Sequence, residues 1–164
     1  MKKRQITALF LAGVLAVSSL TACGSSDSAS SDGSTADAAT SGDTLKIGLV
    51  APISGDNGQY GTSQKQGYEL AIKEINEAGG VNGKMLELET YDDQGDAQKA
   101  AAGAQKFADD DSILAVGGSC LSSCTLAMVP IIDDAGLPDL VVSSSSPSLT
   151  GSSDYFFRMS VQDA

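Results

Sequence analysis

The residues best placed to do chemistry lie in one stretch, Ile113 to Pro130 (ILAVGGSCLSSCTLAMVP), where Ser122 and Ser123 sit between Cys120 and Cys124. An apolar run, a two-glycine break, small hydroxyl residues and a second apolar run read as strand, open turn and helix. That order leaves Ser122 and Ser123 at a helix N-terminus. The first N–H groups of a helix lack intrahelical partners and the peptide dipoles add there, so such an end attracts an anion. The thiols add other options. Their four-residue spacing permits a disulfide, at a geometric strain, and two free small residues of a core or cleft are the other reading. A nucleophilic cysteine or serine needs a base. The chain has no histidine, which removes the usual base, the Ser-His-Asp and Cys-His arrangements and the commonest zinc ligand. No catalytic residue and no metal ligand is therefore assigned, and the chain is not expected to be an enzyme.

Two other polar clusters stand out. Asp92-Asp93 closes an apolar run; paired carboxylates can serve acid–base chemistry or a hard cation, but adjacent acids at a strand end read first as a solvated turn. Ser143 to Ser146, followed by Pro147, forms a second hydroxyl-rich turn. The loop ISGDNGQYG after Pro52 is rich in glycine, yet its spacing is neither a phosphate loop nor a dinucleotide fingerprint, and no cofactor is expected.

The elements that position these residues alternate. Leu45 to Ala51 reads as a buried strand ended by Pro52. Ser63 to Gln66 fits a capping box opening a helix whose inner face is Tyr68, Ala71, Ile72 and Ile75, with Glu69 and Lys73 paired outside and Gly79-Gly80 as the stop. Met85 to Tyr91 alternates as a strand. Asp96 can cap the next helix, with Ala97, Ala100, Ala101, Ala104 and Phe107 facing inward. Ile113 to Val116 is a third strand, and a third helix runs from about Ser122 to Ala135, stopped by Gly136. Pro130 inside it predicts a bend or a helix in two pieces. Leu137 to Val142 and Tyr155 to Met159 are strands four and five. Such alternation implies an α/β fold, a parallel sheet with helices on both faces. Ligands of these sheets sit beyond the carboxyl ends of the strands, where the loops carrying Tyr60, Ser122 with Ser123, and Ser143 to Ser146 are expected to meet.

The beginning of the chain is different in kind. Lys2, Lys3 and Arg4 precede an apolar stretch from Ile6 to Val17 and then Leu20-Thr21-Ala22-Cys23, the pattern of an export signal over residues 1–22. The apolar stretch is short of the roughly 20 residues of a membrane span. Gly24 to Asp43 is almost wholly Ser, Gly, Ala, Thr and Asp, so residues 23–44 are read as a tether and 45–164 as the folded part. The 164 residues carry a formal charge of −11, and setting the three leading basic residues aside leaves seven basic against twenty-one acidic. That balance argues against a nucleic-acid partner.

The run KIGLVAPISGDNGQYGTSQKQGYELAIKEINEAGGVNGK, then GGSCLSSCTLAMVPIIDDAGLP, SSSSPSLT and DYFFRMS, resembles the N-terminal part of the type I solute-binding proteins of ABC transporters, in particular the branched-chain amino acid (leucine/isoleucine/valine) binding group. Leu-Thr-Ala-Cys resembles a lipobox, which implies lipidation at Cys23 and an extracytoplasmic protein anchored to the cell membrane. The resemblance implies a periplasmic-binding-protein-like type I lobe, an amino-acid ligand, ABC permease subunits as partners and no chemistry. Carried over by position, it implies ligand contacts from Ser122, from the N–H of Ser123, from the main chain of Ser143 and from Ser145, with Tyr60 covering the ligand. It also implies a second lobe that closes over the ligand; the sequence stops at Ala164, about where the family crosses into that lobe, so a truncated protein that binds weakly or not at all by itself is expected. The alternatives are a sensory ligand-binding domain of the same fold and a hydrolase using the Ser122 turn as an oxyanion site.

Overall fold

The computed structural model describes residues 44–164. The expected export signal (1–22) and, but for Thr44, the tether (23–44), with Cys23, lie outside the described residues. The rest follows the expected order: β1 (Leu45–Ala51), α1 (Gly58–Glu77), β2 (Leu86–Asp92), α2 (Ala97–Ala108), β3 (Ile113–Gly117), α3 (Ser122–Ala135), β4 (Asp139–Val141), a single 3-10 turn (Pro147–Leu149) and β5 (Phe156–Arg158). The five strands form one parallel sheet in the order β2-β1-β3-β4-β5. Because the chain moves from β1 first to one side, to β2, and then to the other, to β3, the loops after β1 and β3 leave the sheet beside each other, which is where such a fold opens a crevice.

Helices cover the two faces unequally. Successive residues of β1 point to opposite sides, as strand geometry requires: Gly48 lies under the Phe107 ring of α2, while Leu49 approaches Gly117 beside Tyr68 of α1. On the α2–α3 face, Val50, Ala100, Ala104, Phe107, Val116, Cys124, Met128 and Ile132 form a dry core. Burying each large member of it stabilises the fold by roughly 1.5–3 kcal/mol. The small stripe Ala100, Gly103, Ala104 lets α2 approach closely, as the alanine spacing predicts.

The α1 face departs from expectation. Only Gly61 and Gln64 of α1 are buried, Tyr68 and Ile72 are half-buried, and Ala71 and Ile75 are exposed. One helix alone lies on that side among the described residues, so the face expected to be buried has little to pack against beyond the sheet. The helix also starts five residues before the expected capping box. Asn57 occupies the cap position, and Gly58 N–H reaches back to the Gly55 carbonyl at 3.1 Å. Ser63 then lies inside the helix and its hydroxyl donates to the Gln59 carbonyl at 2.9 Å, the usual fate of a mid-helix serine. Glu69 pairs with Lys65 at 3.1 Å, and Lys73 lies 3.8 Å from Glu77, in place of the expected Glu69–Lys73 pair. Gly61 makes the early start possible: a Cβ there would lie 2.0 Å from the Pro52 carbonyl oxygen.

Other local expectations are met or refined. Asp96 caps α2, its carboxylate accepting from the N–H groups of Gln98 (2.8 Å) and Lys99 (2.9 Å). Helix α3 is a single element despite Pro130. Both Pro130 and Leu126, whose carbonyl loses its donor, lie at the exposed side of the helix, where water can serve that group. Gly136 ends α3 in the left-handed conformation (φ 64°) that only glycine adopts without penalty.

Candidate functional site

At the carboxyl end of the sheet the loops are tied to one another by polar contacts. Asp92, expected in a solvated turn, is instead a clamp: its carboxylate accepts from Ile53 N–H (2.9 Å), Ser54 N–H (3.2 Å), Ser54 Oγ (2.6 Å) and Gln94 N–H (3.0 Å). Partial burial pushes its pKa up, but these bonds outweigh it and hold the carboxyl below its ordinary value. The β1–α1 loop is thereby fastened to the end of β2. Its neighbour Asp93 is fully buried, accepts from Gly95 N–H at 2.7 Å, and has its pKa raised by that burial. Both acids shape loops, and neither is presented to solvent as a pair.

The β3–α3 turn is the centre of the site. The cap position of α3 is held by Leu121, not by a serine, and no side chain caps the helix. Ser122 is the first helical residue, and its hydroxyl accepts from Ser146 N–H at 3.3 Å. The first helical bond in this region runs from Thr125 N–H to the Leu121 carbonyl at 3.0 Å, so the N–H groups of Ser122 and Ser123 have no backbone acceptor. Ser123 is exposed. The helix end thus keeps free donors with the dipole behind them, the arrangement an anion requires.

The turn after β4 packs against it. Ser143 Oγ donates to the Cys120 carbonyl at 3.3 Å. Ser144 and Thr125, neither prominent in the sequence, are fully buried with Ser119. Thr125 Oγ1 and Ser144 Oγ lie 2.8 Å apart, and each reaches the Ser119 carbonyl at 2.9 Å. Ser144 turns inward against the alternation of β4, which buries Asp139 and Val141 and would bury Ser143 next; a bend at Val142 and Ser143 shifts that register, so no local pattern in the run of four serines singles out Ser144. Ser145 donates its hydroxyl to Asp163 Oδ2 at 2.8 Å. Arg158 fixes the same turn by donating to the Ser146 carbonyl at 2.9 Å.

The structure therefore joins the turn that carries Ser122 and Ser123 to the turn that carries Ser143 and Ser145, through Ser146 N–H to Ser122 Oγ and Ser143 Oγ to the Cys120 carbonyl. Tyr60 sits in the first turn of α1, 61% exposed, and makes no side-chain hydrogen bond to either turn. The β2–α2 turn lies between the loops after β1 and β3: a Cβ at Gly95 would meet Asn57 of the one at 3.0 Å and Leu121 of the other at 3.3 Å.

Cys120 and Cys124 are free thiols. Burial, with Asp93 nearby, pushes the Cys120 thiol up to about 11 and raises Cys124 as well. A thiol held protonated is a poor nucleophile, and among the described residues Ser122 Oγ makes no hydrogen bond to a basic side chain. Nothing in this arrangement activates a nucleophile. Among the described residues no group of three or more Cys, Asp or Glu is placed to hold a metal ion.

Residues 44–164 match the family model described as periplasmic binding protein. The chain is 42% identical over 108 residues to the leucine-, isoleucine-, valine-, threonine-, and alanine-binding protein of Pseudomonas aeruginosa, covering 66% of this chain and 29% of that protein. Among solved structures it is similar to the branched-chain amino acid transporter substrate binding protein LivJ from Streptococcus pneumoniae in complex with isoleucine, with a TM-score of 0.70 and 34% identity over 73% of this chain and 34% of that one. It is also similar to a solute binding protein of an ABC transporter from Rhodopseudomonas palustris BisB5 in complex with 3,4-dihydroxy benzoic acid, with a TM-score of 0.67 and 26% identity over 74% of this chain and 33% of that one. The chain spans 29–34% of the length of these relatives.

Proposed function

This chain belongs to the periplasmic binding protein family, and we propose that it captures a branched-chain or related amino acid as the binding component of an ABC transporter. The family is one of binding proteins and implies a location outside the cytoplasm. The observation that carries the reading is the joining of two turns: the free N–H groups of Ser122 and Ser123 at the start of α3 lie on one side, and the Ser143–Ser146 turn, tied to Ser122 Oγ through Ser146 N–H, lies on the other. A carboxylate takes charge-assisted bonds from the first; an ammonium donates to the Ser143 carbonyl, to which no other group donates among the described residues, and to Ser145. Neither half needs a charged side chain of the turns themselves. Tyr60 is exposed and available to cover the ligand.

Permease subunits are the proposed partners, and lipidation at Cys23 is the proposed means of staying beside them. A second reading is an aromatic carboxylate, favoured by the similarity to a protein solved with 3,4-dihydroxy benzoic acid; it uses the same helix end and leaves the ammonium side empty. Calorimetric titration with L-leucine tests the first reading. Ser122→Ala is expected to weaken binding by more than threefold; affinity unchanged within about threefold, roughly 0.6 kcal/mol, removes Ser122 from the ligand.

A further inference from the structure

We infer that Asp163 selects for a ligand ammonium at this site, by turning the Ser145 hydroxyl into a pure acceptor and placing negative charge beside it. The inference rests on the amino-acid reading above and adds to it a residue outside the two turns. Residues 160–163 run back over the turn after β4. Ser160 Oγ donates to the Ser144 carbonyl at 3.3 Å, Gln162 Oε1 accepts from Thr150 Oγ1 at 2.7 Å, and Asp163 grips Ser145 twice. Its Oδ2 accepts from Ser145 Oγ at 2.8 Å, and its N–H donates to the Ser145 carbonyl at 3.0 Å.

The consequence follows from proton counting. A serine hydroxyl has one proton and two lone pairs. With the proton committed to a carboxylate, Ser145 offers an approaching ligand only lone pairs, which welcome an N–H donor and repel a carboxylate or phenolate oxygen. The Ser145 carbonyl is also occupied, which leaves the Ser143 carbonyl as the second acceptor. No lysine or arginine pairs with Asp163 among the described residues. Arg158, on the adjoining strand, directs its guanidinium to the Ser146 carbonyl, Thr150 Oγ1 and Gln162 Oε1. Asp163 thus makes no ion pair among the described residues, and Ser145 itself is only half-buried and reachable. Charge-assisted bonds of this kind are about twice as strong as neutral ones.

The experiment compares two ligands of one shape, L-leucine and its deaminated analogue 4-methylpentanoate, titrated calorimetrically into wild type and Asp163→Asn, with circular dichroism melting to verify the fold. Asp163→Asn is expected to weaken leucine binding about tenfold or more while leaving the analogue within about threefold. Equal loss for both ligands makes Asp163 a mere strap for the loop and overturns the inference, as does no change for either. If Asp163→Asn melts early, Asp163→Glu keeps the charge and must preserve the leucine-to-analogue ratio; a collapsed ratio there overturns the inference as well. Wild type that binds neither compound overturns the functional reading and this inference with it, whereas wild type that binds leucine with a ratio insensitive to residue 163 overturns the inference alone.

Discussion

Thr125 of α3 and Ser144 of the turn after β4 meet hydroxyl to hydroxyl at 2.8 Å, both fully buried, with the Ser119 carbonyl 2.9 Å from each. Three segments are locked by this one junction, so the relative position of the Ser122 and Ser143–Ser146 turns depends on it. A buried polar group left without its partner costs about 1–3 kcal/mol. Thr125→Val and Ser144→Ala are each expected to lower unfolding free energy by an amount in that range, measured by urea denaturation. The double variant should lose less than the sum, with a coupling of about 0.5 kcal/mol or more; strict additivity would show that the two hydroxyls act independently.

Asp139 begins β4 fully buried, and neither carboxylate oxygen has a hydrogen-bond partner. Burial, offset only in part by the nearby Gly118 N–H, pushes its pKa up to about 7. The folded chain therefore holds a proton that the unfolded chain releases near pH 4. Its contribution to stability is complete below that pH and is lost as pH rises toward 7, by something on the order of 4 kcal/mol. Denaturation of wild type and Asp139→Asn between pH 4.5 and 8, read as a difference, isolates this group from Asp92, whose lowered pKa acts in the opposite direction. The expected result is an Asn variant that gains on wild type steadily as pH rises; parallel curves would show that Asp139 titrates normally.

The two thiols give a chemical readout of the site. With its pKa near 11, Cys120 should alkylate slowly in the native protein at pH 7.4, and Cys124, fully buried, only on unfolding. Peptide mass mapping after iodoacetamide in denaturant, without reductant, is expected to find both labelled. An unlabelled, linked pair would instead establish the disulfide that their spacing permits.

The anchor is tested in cells. Cys23→Ser should move the protein from the membrane fraction to the soluble one, since stable attachment needs more than a single weak signal. Retention in the membrane fraction would show that Cys23 does not carry the lipid.

Much of the fold was legible in the chain. Apolar runs separated by helical patterns and short polar turns dictate a parallel sheet with crossover helices, and Asp96 two and three residues before two free N–H groups dictates a cap. Helix boundaries were less legible. Asn57 and Gly58 start α1 ahead of a good capping sequence because the loop before it is held by Asp92 from 35 residues or more away, and no local pattern carries that. The α1 face was misjudged for a related reason: periodicity shows which residues share a side, not whether anything covers it.

The sequence by itself determined the order of the elements, the polar turns at the carboxyl ends of the strands and the absence of histidine chemistry, because each depends on residues adjacent along the chain. Only the tertiary structure decided which of four serines turns inward, that Leu121 and not a serine stands at the cap of α3, that a buried Asp139 lacks a partner, and that Ser145 gives its proton to Asp163. Those outcomes depend on which groups meet when loops 18 to 25 residues apart close on one another, and a hydrogen bond of that kind has no signature in sequence until both of its ends have a place.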